Sequence, residues 1–154
     1  MKLKPNIFDI VINVICMLQL LGIVIYLIVT WSSLPEQIPG HFGADGVVTR
    51  YDSTWALLVM PILAWLLFGG LSLIERFPQI WNTGVQVTKE NKFRVYRILK
   101  NLLCATKLIL VTSFIYVTII QSLSQNLSRW FVPVFLFLLF GSMAYFAIML
   151  IRAK

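Results

Sequence analysis

Four long apolar stretches dominate the pattern of hydrophobic and polar positions along the chain. They cover residues 8–31, 55–75, 100–122 and 131–151. Each is close to the roughly 20 residues that a helix needs to cross a bilayer, and none alternates between polar and apolar positions as a barrel strand does. In hydrocarbon, a single segment can satisfy its own backbone hydrogen bonds only as a helix. The pattern therefore predicts an all-α integral membrane protein, a four-helix bundle.

The polar segments between these stretches divide a single domain, residues 1–154, into spans and loops. One loop, residues 32–54, joins the first two spans, and a second, residues 76–99, joins spans 2 and 3. Hydrophobic residues make up 59% of the chain and charged residues only 12%, against about 25% charged residues in a typical soluble domain. This composition excludes a water-soluble enzyme and a disordered tail. Cys16 and Cys104 lie within apolar stretches and predict no disulfide framework.

The distribution of basic residues predicts which side of the membrane each loop faces. Ten of the 13 lysines and arginines lie at the N-terminus, at residues 76–100 and at the C-terminus, whereas the other two connecting segments hold only Arg50 and Arg129. Because loops rich in Lys and Arg face the cytoplasm, both termini are predicted to be cytoplasmic. Trp31, Trp55 and Trp130 fall at the opposite ends of the spans, where interfacial aromatic residues are expected.

The outer loop after the first span is too long to be a simple connector. Residues 34–54 read LPEQIPGHFGADGVVTRYDST, whereas a helix–helix connection usually takes about 2–8 residues. Its prolines and glycines predict a series of turns rather than a strand pair. A stiff, exposed loop of this kind is typical of a binding surface. The candidate ligand- or partner-binding residues are Pro35, Glu36, Pro39, His41, Phe42, Gly46, Arg50 and Asp52.

His41, at the centre of this loop, is open to three interpretations. Its ring hydrogen-bonds backbone carbonyls and holds the loop closed, or it contacts an external ligand together with Phe42, or it takes part in acid–base or metal chemistry. A zinc site needs three or four ligands. With this one histidine, Glu36, Asp45 and Asp52 form a weak ligand set, so no metal is predicted.

Two segments resemble one family of membrane proteins. The run LPEQIPGHFGADG, which begins at Leu34, is similar to the LPxxIPxHFxxxG signature of the SdpI-like bacterial membrane proteins, whose N-terminal half is a domain of unknown function. The segment NTGVQVTKENKFRVYR, residues 82–97, is similar to that family's Thr-x-Glu-Asn run followed by a basic, tyrosine-containing helix. The resemblance covers roughly residues 30 to 100. It departs from the family at Thr49, Asp52 and Thr54, where Asp, Gly and Lys are frequent.

The resemblance implies a location and a class of function. SdpI-like proteins lie in the bacterial plasma membrane, and the family's best-known function is immunity to an extracellular toxic peptide. In some members this immunity is coupled to capture of a transcriptional repressor at the membrane. Longer relatives carry further spans that this chain lacks.

The second loop predicts a basic helix that continues into the third span. Thr88, followed by Lys-Glu-Asn, has the residue type of a helix N-cap, and Glu90 is favourable in a first helical turn. Such a helix either lies against anionic lipid headgroups or docks a cytoplasmic partner. The residues predicted for either role are Lys89, Lys92, Arg94, Arg97 and Lys100.

Polar residues inside the spans need an explanation, because a charge near the centre of a span costs several kcal/mol. The intramembrane polar residues are Asp9, Asn13, Gln19 and Lys107. The first three, with Cys16, recur on one face of span 1 and predict a helix–helix interface. Lys107 is expected to extend its ammonium back to the membrane interface. The alternative is an ion pair with Asp9 or Glu75, which would permit a proton or ion relay.

The sequence as a whole predicts a non-enzymatic immunity or receptor-like protein whose outer loop meets an extracellular peptide. The alternative is a transporter or channel component that uses Lys107 and the polar face of span 1; an enzyme acting on lipid headgroups is a third hypothesis. No phosphate loop, HExxH, CxxC or GxSxG motif occurs, and no cofactor is predicted. The candidate partners are the lipid bilayer, an extracellular peptide, a cytoplasmic regulator and a second copy of the chain, with no nucleic acid.

Overall fold

The computed structural model of the protein describes residues 3–153 and is mainly helical. The four helices are α1 (Ile7–Thr30), α2 (Val59–Ile74), α3 (Lys92–Ser122) and α4 (Phe131–Ile151), and the two strands are β1 (Gln37–Phe42) and β2 (Val48–Ser53). Short 3-10 turns precede α2 and follow α1. With these turns included, all four helices are long and apolar enough to cross a membrane. The prediction of a multi-pass membrane protein is therefore confirmed at this level.

The helices are not packed equally, and α3 is the central one. It packs against α1, α2 and α4, and the main apolar core lies between the first three helices, where Cys16, Leu20, Ala64 and Val111 are fully buried. On α4 only Phe146 is buried. The fold is thus a three-helix core with α4 on the outer side of α3, rather than an evenly packed four-helix bundle.

The four helices run alternately up and down, so their ends meet in two groups. The start of α1 and the start of α3 are joined by a hydrogen bond from Arg97 to the Lys4 carbonyl, and Arg97 also shares a groove with Arg152 after α4. We call this the basic end. The opposite end carries the strands and is called the hairpin end. The basic end is predicted, from the distribution of Lys and Arg, to face the cytoplasm.

Helix α3 is continuous from the second loop into the third span, as its sequence predicts. It begins at Lys92 and is 31 residues long, about 46 Å at 1.5 Å per residue, which exceeds the hydrocarbon thickness of about 30 Å. Thr88 and Asn91 exchange side-chain to backbone hydrogen bonds of 2.8 and 3.3 Å before its first turn. The Thr88 hydroxyl also lowers the pKa of the Glu90 carboxyl by hydrogen bonding to it. The predicted loop 76–99 is therefore shorter, because its last third is helical.

The outer loop is a β-hairpin, and the prediction of turns without a strand pair was wrong. β1 and β2 are antiparallel, with Gln37 opposite Ser53 and Phe42 opposite Val48. The register is irregular after Pro39, which has no N–H to contribute to a ladder. A turn at residues 43–46 closes the hairpin through a bond from the Gly46 N–H to the Gly43 carbonyl. The fold class is consequently helical with one two-stranded sheet.

Candidate functional site

The hairpin is held against the hairpin end of α3 by three polar contacts. The Gln121 amide donates to the Pro39 carbonyl at 2.8 Å, and the Val48 N–H donates to the Asn126 side chain at 2.9 Å. The Leu127 N–H donates to the Gly46 carbonyl at 2.9 Å. An isolated two-stranded hairpin is marginally stable in water, so these contacts turn the loop into a fixed platform.

Gly46 is required where the hairpin meets the loop between α3 and α4. Its φ of +84° lies in the left-handed region, which residues other than glycine seldom adopt. A Cβ at this position would clash with the Leu127 carbonyl oxygen. Pro39 and Gly46 are both buried. These two predicted site residues therefore build the platform and do not form its outer surface.

The outer surface of the hairpin is polar and aromatic. His41, Arg50 and Tyr51 are exposed on adjacent strands. His41 lies opposite Arg50 in the register, whereas Tyr51, next to Arg50 along β2, points to the other face of the hairpin. The Arg50 guanidinium pairs with the Asp52 carboxylate at 2.8 Å; this hydrogen-bonded carboxylate raises the pKa of Arg50. Tyr51 is not among the site residues predicted from the sequence. It could have been included, because tyrosine is enriched among the residues that dominate binding surfaces.

The remaining predicted residues of this loop lie at its edges. Glu36 is exposed and its carbonyl accepts the Thr54 N–H, while the Pro35 carbonyl accepts the Thr54 hydroxyl. Phe42 is half-buried. Glu36 and Pro35 thus fix the base of the hairpin to Thr54. Phe42 lies at the other end, next to the turn.

The His41 ring is exposed and does not hold the loop closed. Within residues 3–153, the ring forms no hydrogen bond, whereas the His41 carbonyl accepts the Thr49 hydroxyl at 3.3 Å. No group of three or more His, Cys, Asp or Glu side chains in that part of the chain is arranged to hold a metal ion. The His41 ring is therefore accessible on the surface of the hairpin.

An apolar cavity lies directly beneath the hairpin, between α1 and α2. Its volume is about 360 Å³, and its wall includes Leu27, Pro61 and Trp65. Trp31 and Trp55 line it on the side of the hairpin, with ring centroids 5.1 Å apart. The two tryptophans thus lie where α1 and α2 meet the hairpin platform.

A second candidate site is a group of charged residues buried near the basic end. Lys107 is 0% exposed, and its Nζ lies 2.6 Å from Glu75 Oε1. The ammonium also donates to Asn13 Oδ1 at 2.8 Å and to Ser72 Oγ at 3.0 Å. The expected extension of Lys107 to the membrane interface is therefore wrong. The alternative, an ion pair with Glu75, is what the structure contains.

Asp9 accepts two other cations of α3. Its Oδ2 lies 2.9 Å from Arg97 Nη1 and 2.8 Å from Lys100 Nζ. Arg97 and Lys100 thus point into the helix interface, which corrects their prediction as surface residues for lipid or a partner. Lys89, Lys92 and Arg94, in contrast, are exposed.

These five charges form one continuous cluster on the polar face of α1. We call Asp9, Glu75, Arg97, Lys100 and Lys107 the charge cluster. Cys104 Sγ links its two halves, at 3.6 Å from Glu75 Oε1 and 3.9 Å from Asp9 Oδ1. Further along α1, Gln19 accepts the Thr112 hydroxyl at 3.1 Å. The predicted helix–helix interface is therefore present, with α3 as the partner helix of α1.

The charge cluster is accessible from one side. A cavity of about 660 Å³ opens beside it at the basic end, and its wall includes Asp9, Glu75 and Lys100. Arg76 lies at the same cavity and is exposed. The cavity therefore adjoins both carboxylates. Ser72, which accepts a hydrogen bond from Lys107, could not be identified from the sequence, because it is one of several small residues in an apolar stretch.

Comparison with known proteins points to the hairpin. Residues 18–64 match the family described as "Domain of unknown function (DUF1648)", which covers the later part of α1, the whole hairpin and the start of α2. An uncharacterised protein of Archaeoglobus fulgidus is 34% identical over 84 residues, with 47% of this chain and 44% of the relative covered. The chain thus spans less than half of that relative. No solved structure matches. The similarity is therefore to an uncharacterised family of membrane-like proteins.

Proposed function

We propose that the protein is a non-enzymatic, SdpI-like immunity or receptor protein of the bacterial plasma membrane, whose hairpin faces outward and binds an extracellular peptide. The observation that supports this function is the docked hairpin, which is bonded to α3 at Pro39 and to the loop after α3 at Gly46 and Val48. A pre-organised surface binds with a smaller entropic cost than a flexible loop. The family match includes the same segment.

The chemistry of the surface indicates a cationic, partly apolar peptide. Residues 34–54 contain three carboxylates and one arginine, Arg50, so the loop is net acidic and attracts positive charge. Tyr51 and His41 offer exposed rings for stacking and cation–π contacts. At the basic end, the exposed Lys89, Lys92 and Arg94 form the surface proposed for a cytoplasmic regulator.

Growth protection tests the proposal directly. We expect bacteria that are sensitive to a secreted cationic peptide to tolerate several-fold more of it when they produce the protein, with a panel of such peptides tested one by one. Replacing His41→Ala and Tyr51→Ala together should abolish protection, because both rings leave the exposed surface while the docking contacts remain.

The matched control carries Lys4→Ala and Phe137→Ala, which also removes one exposed basic and one exposed aromatic side chain, but away from the hairpin. This control should protect as well as the unaltered protein. Equal loss in both double variants, or no protection by any correctly inserted protein, contradicts the proposal.

The orientation that the proposal requires has its own test. Cys16 and Cys104 are both 0% exposed, so a single new surface cysteine can be labelled against a low background. We expect a membrane-impermeant maleimide to label Val47→Cys, at the hairpin turn, in intact cells, and Lys89→Cys only after permeabilisation. The reverse pattern would show that the hairpin faces the cytoplasm.

The charge cluster favours a second candidate function, a proton or ion relay in a transporter or channel component. Buried ionisable residues within spans frequently belong to such pathways. Lys107 and Glu75 are close enough to exchange a proton at 2.6 Å, and the adjoining cavity gives one side access to water. The hairpin proposal stands independently of this relay, because Lys107, in the middle of α3, lies about 21 Å along the helix from Gln121, which contacts the hairpin.

A further inference from the structure

A groove between α3 and α4 at the basic end has the composition of a phosphate-binding site. Its volume is about 670 Å³, and three arginines contribute to its wall: Arg94, Arg97 and Arg152. Among the described residues that line the groove there is no Asp or Glu. This distinguishes it from the cavity at the charge cluster, where Asp9 and Glu75 are part of the wall.

Within residues 3–153, no carboxylate pairs with Arg94 or Arg152. Arg97 is paired with Asp9 and is held over the Phe93 ring at 5.7 Å. Arg94 and Arg152 are exposed and form no ion pair with any residue between 3 and 153. Two guanidinium groups at the mouth of one groove repel each other, and an anion placed between them relieves that repulsion.

The deeper part of the groove suits the remainder of a lipid molecule. Ile98 and Met149 give it apolar walls, and α4 presents almost its whole length to the surroundings. Asn101 lies about two helical turns beyond Arg94, and its buried Oδ1 has no hydrogen-bond partner. The amide N–H of the same side chain can donate to an ester carbonyl of a lipid at that depth, below the phosphate.

From these features we infer that the groove binds the phosphate headgroup of one anionic phospholipid, with Arg94 and Arg152 on the phosphate and the acyl chains along Ile98 and Met149. Basic pockets between membrane-spanning helices are known lipid headgroup sites. Free inorganic phosphate would use only the mouth and would leave the apolar walls and Asn101 without a contact.

Native mass spectrometry of the detergent-solubilised protein tests this inference, with phosphatidylglycerol, phosphatidylcholine and inorganic phosphate as separate probes. We expect one phosphatidylglycerol to bind at least about tenfold more tightly than either other probe, a difference of about 1.4 kcal/mol. Arg94→Gln with Arg152→Gln should remove that preference. Replacing both arginines by lysine should restore part of it, because lysine keeps the charge and loses the bidentate contact.

The matched control is Lys89→Gln with Lys92→Gln, which removes two charges at the same end but outside the groove. This variant should keep the preference. If the variant with Lys89→Gln and Lys92→Gln lost the phosphatidylglycerol preference to the same extent, the attraction would be diffuse and the site would be overturned. Equally tight binding of inorganic phosphate would overturn the lipid as occupant. Circular dichroism checks that all variants retain their helices.

Discussion

Replacing Lys107 by methionine is expected to reduce the free energy of unfolding by about 3–5 kcal/mol, the usual loss when one partner of a buried ion pair is removed. The substitution leaves Glu75 without a counter-charge in the helix interface, where Lys107 Nζ now lies 2.6 Å from its carboxylate. Asn13 and Ser72 also lose the donor that they share. Unfolding of the solubilised protein in a titration with a denaturing detergent, followed by circular dichroism, measures the effect.

The paired variant makes this expectation specific. Lys107→Met combined with Glu75→Gln removes both charges and should recover most of the lost stability, because no buried charge is left uncompensated. Lys89→Met, at an exposed lysine of the same end, should change the unfolding free energy by less than about 0.5 kcal/mol. Additive losses in the double variant would mean that the two side chains do not interact as a pair.

The same double variant separates the two candidate functions. In proteoliposomes with a pH-sensitive dye inside, a relay through Lys107 and Glu75 predicts proton flux in the unaltered protein and none in the double variant. Growth protection through the hairpin should be equal in the two proteins, since the hairpin contacts Gln121, Asn126 and Leu127 at the other end of α3. An absence of flux in the unaltered protein would exclude the relay and leave the hairpin proposal intact.

Asp9→Ala should have the second large effect, because Asp9 has two structural roles. Its carboxylate accepts the Asn6 N–H at 3.0 Å in a capping box at the start of α1, and it is the counter-charge of Arg97 and Lys100. Loss of the charge should cost about 3 kcal/mol, and loss of the cap about 1 kcal/mol more. The detergent titration used for Lys107 measures this sum.

Two further substitutions separate the contribution of the ion pairs from that of the helix cap. Asn6→Ala removes the side-chain acceptor for the Asp9 N–H, 2.8 Å away, and leaves the ion pairs in place, so it should cost only about 1 kcal/mol. Asp9→Asn removes the charge and keeps an oxygen that can accept from Asn6, so it should cost about 3 kcal/mol. If Asn6→Ala were as damaging as Asp9→Asn, the ion pairs would contribute nothing measurable beyond the cap.

The hairpin shows where local sequence preferences fail. Pro35 and Pro39 and the glycines between residues 40 and 46 are all unfavourable in strands, and they led to a prediction of turns. The strands form nevertheless because residues far along the chain, at 121, 126 and 127, supply hydrogen-bond partners to the hairpin. No pattern within residues 32–54 contains that information.

Lys107 illustrates the same limit in the membrane. Its spacing from Arg97 and Lys100 on one helical face follows from the sequence, and so does the polar face of span 1. The choice between reaching the interface and pairing with Glu75 depends on how α2 is rotated against α3. Apolar residues lie on all sides of α2 and permit several rotations, so the sequence left Asp9 and Glu75 as equal partners.

The sequence by itself determined the number of spans, their approximate ends and the unbroken passage of the basic segment into α3. It could do so because each segment in hydrocarbon must satisfy its own backbone hydrogen bonds, a constraint that acts within one stretch of chain. The tertiary structure alone decided that the outer loop pairs as strands, that α4 lies outside the core and that Lys107 meets Glu75. Those outcomes depend on contacts between segments distant in sequence, and packing, rather than local composition, selects among the arrangements that the spans allow.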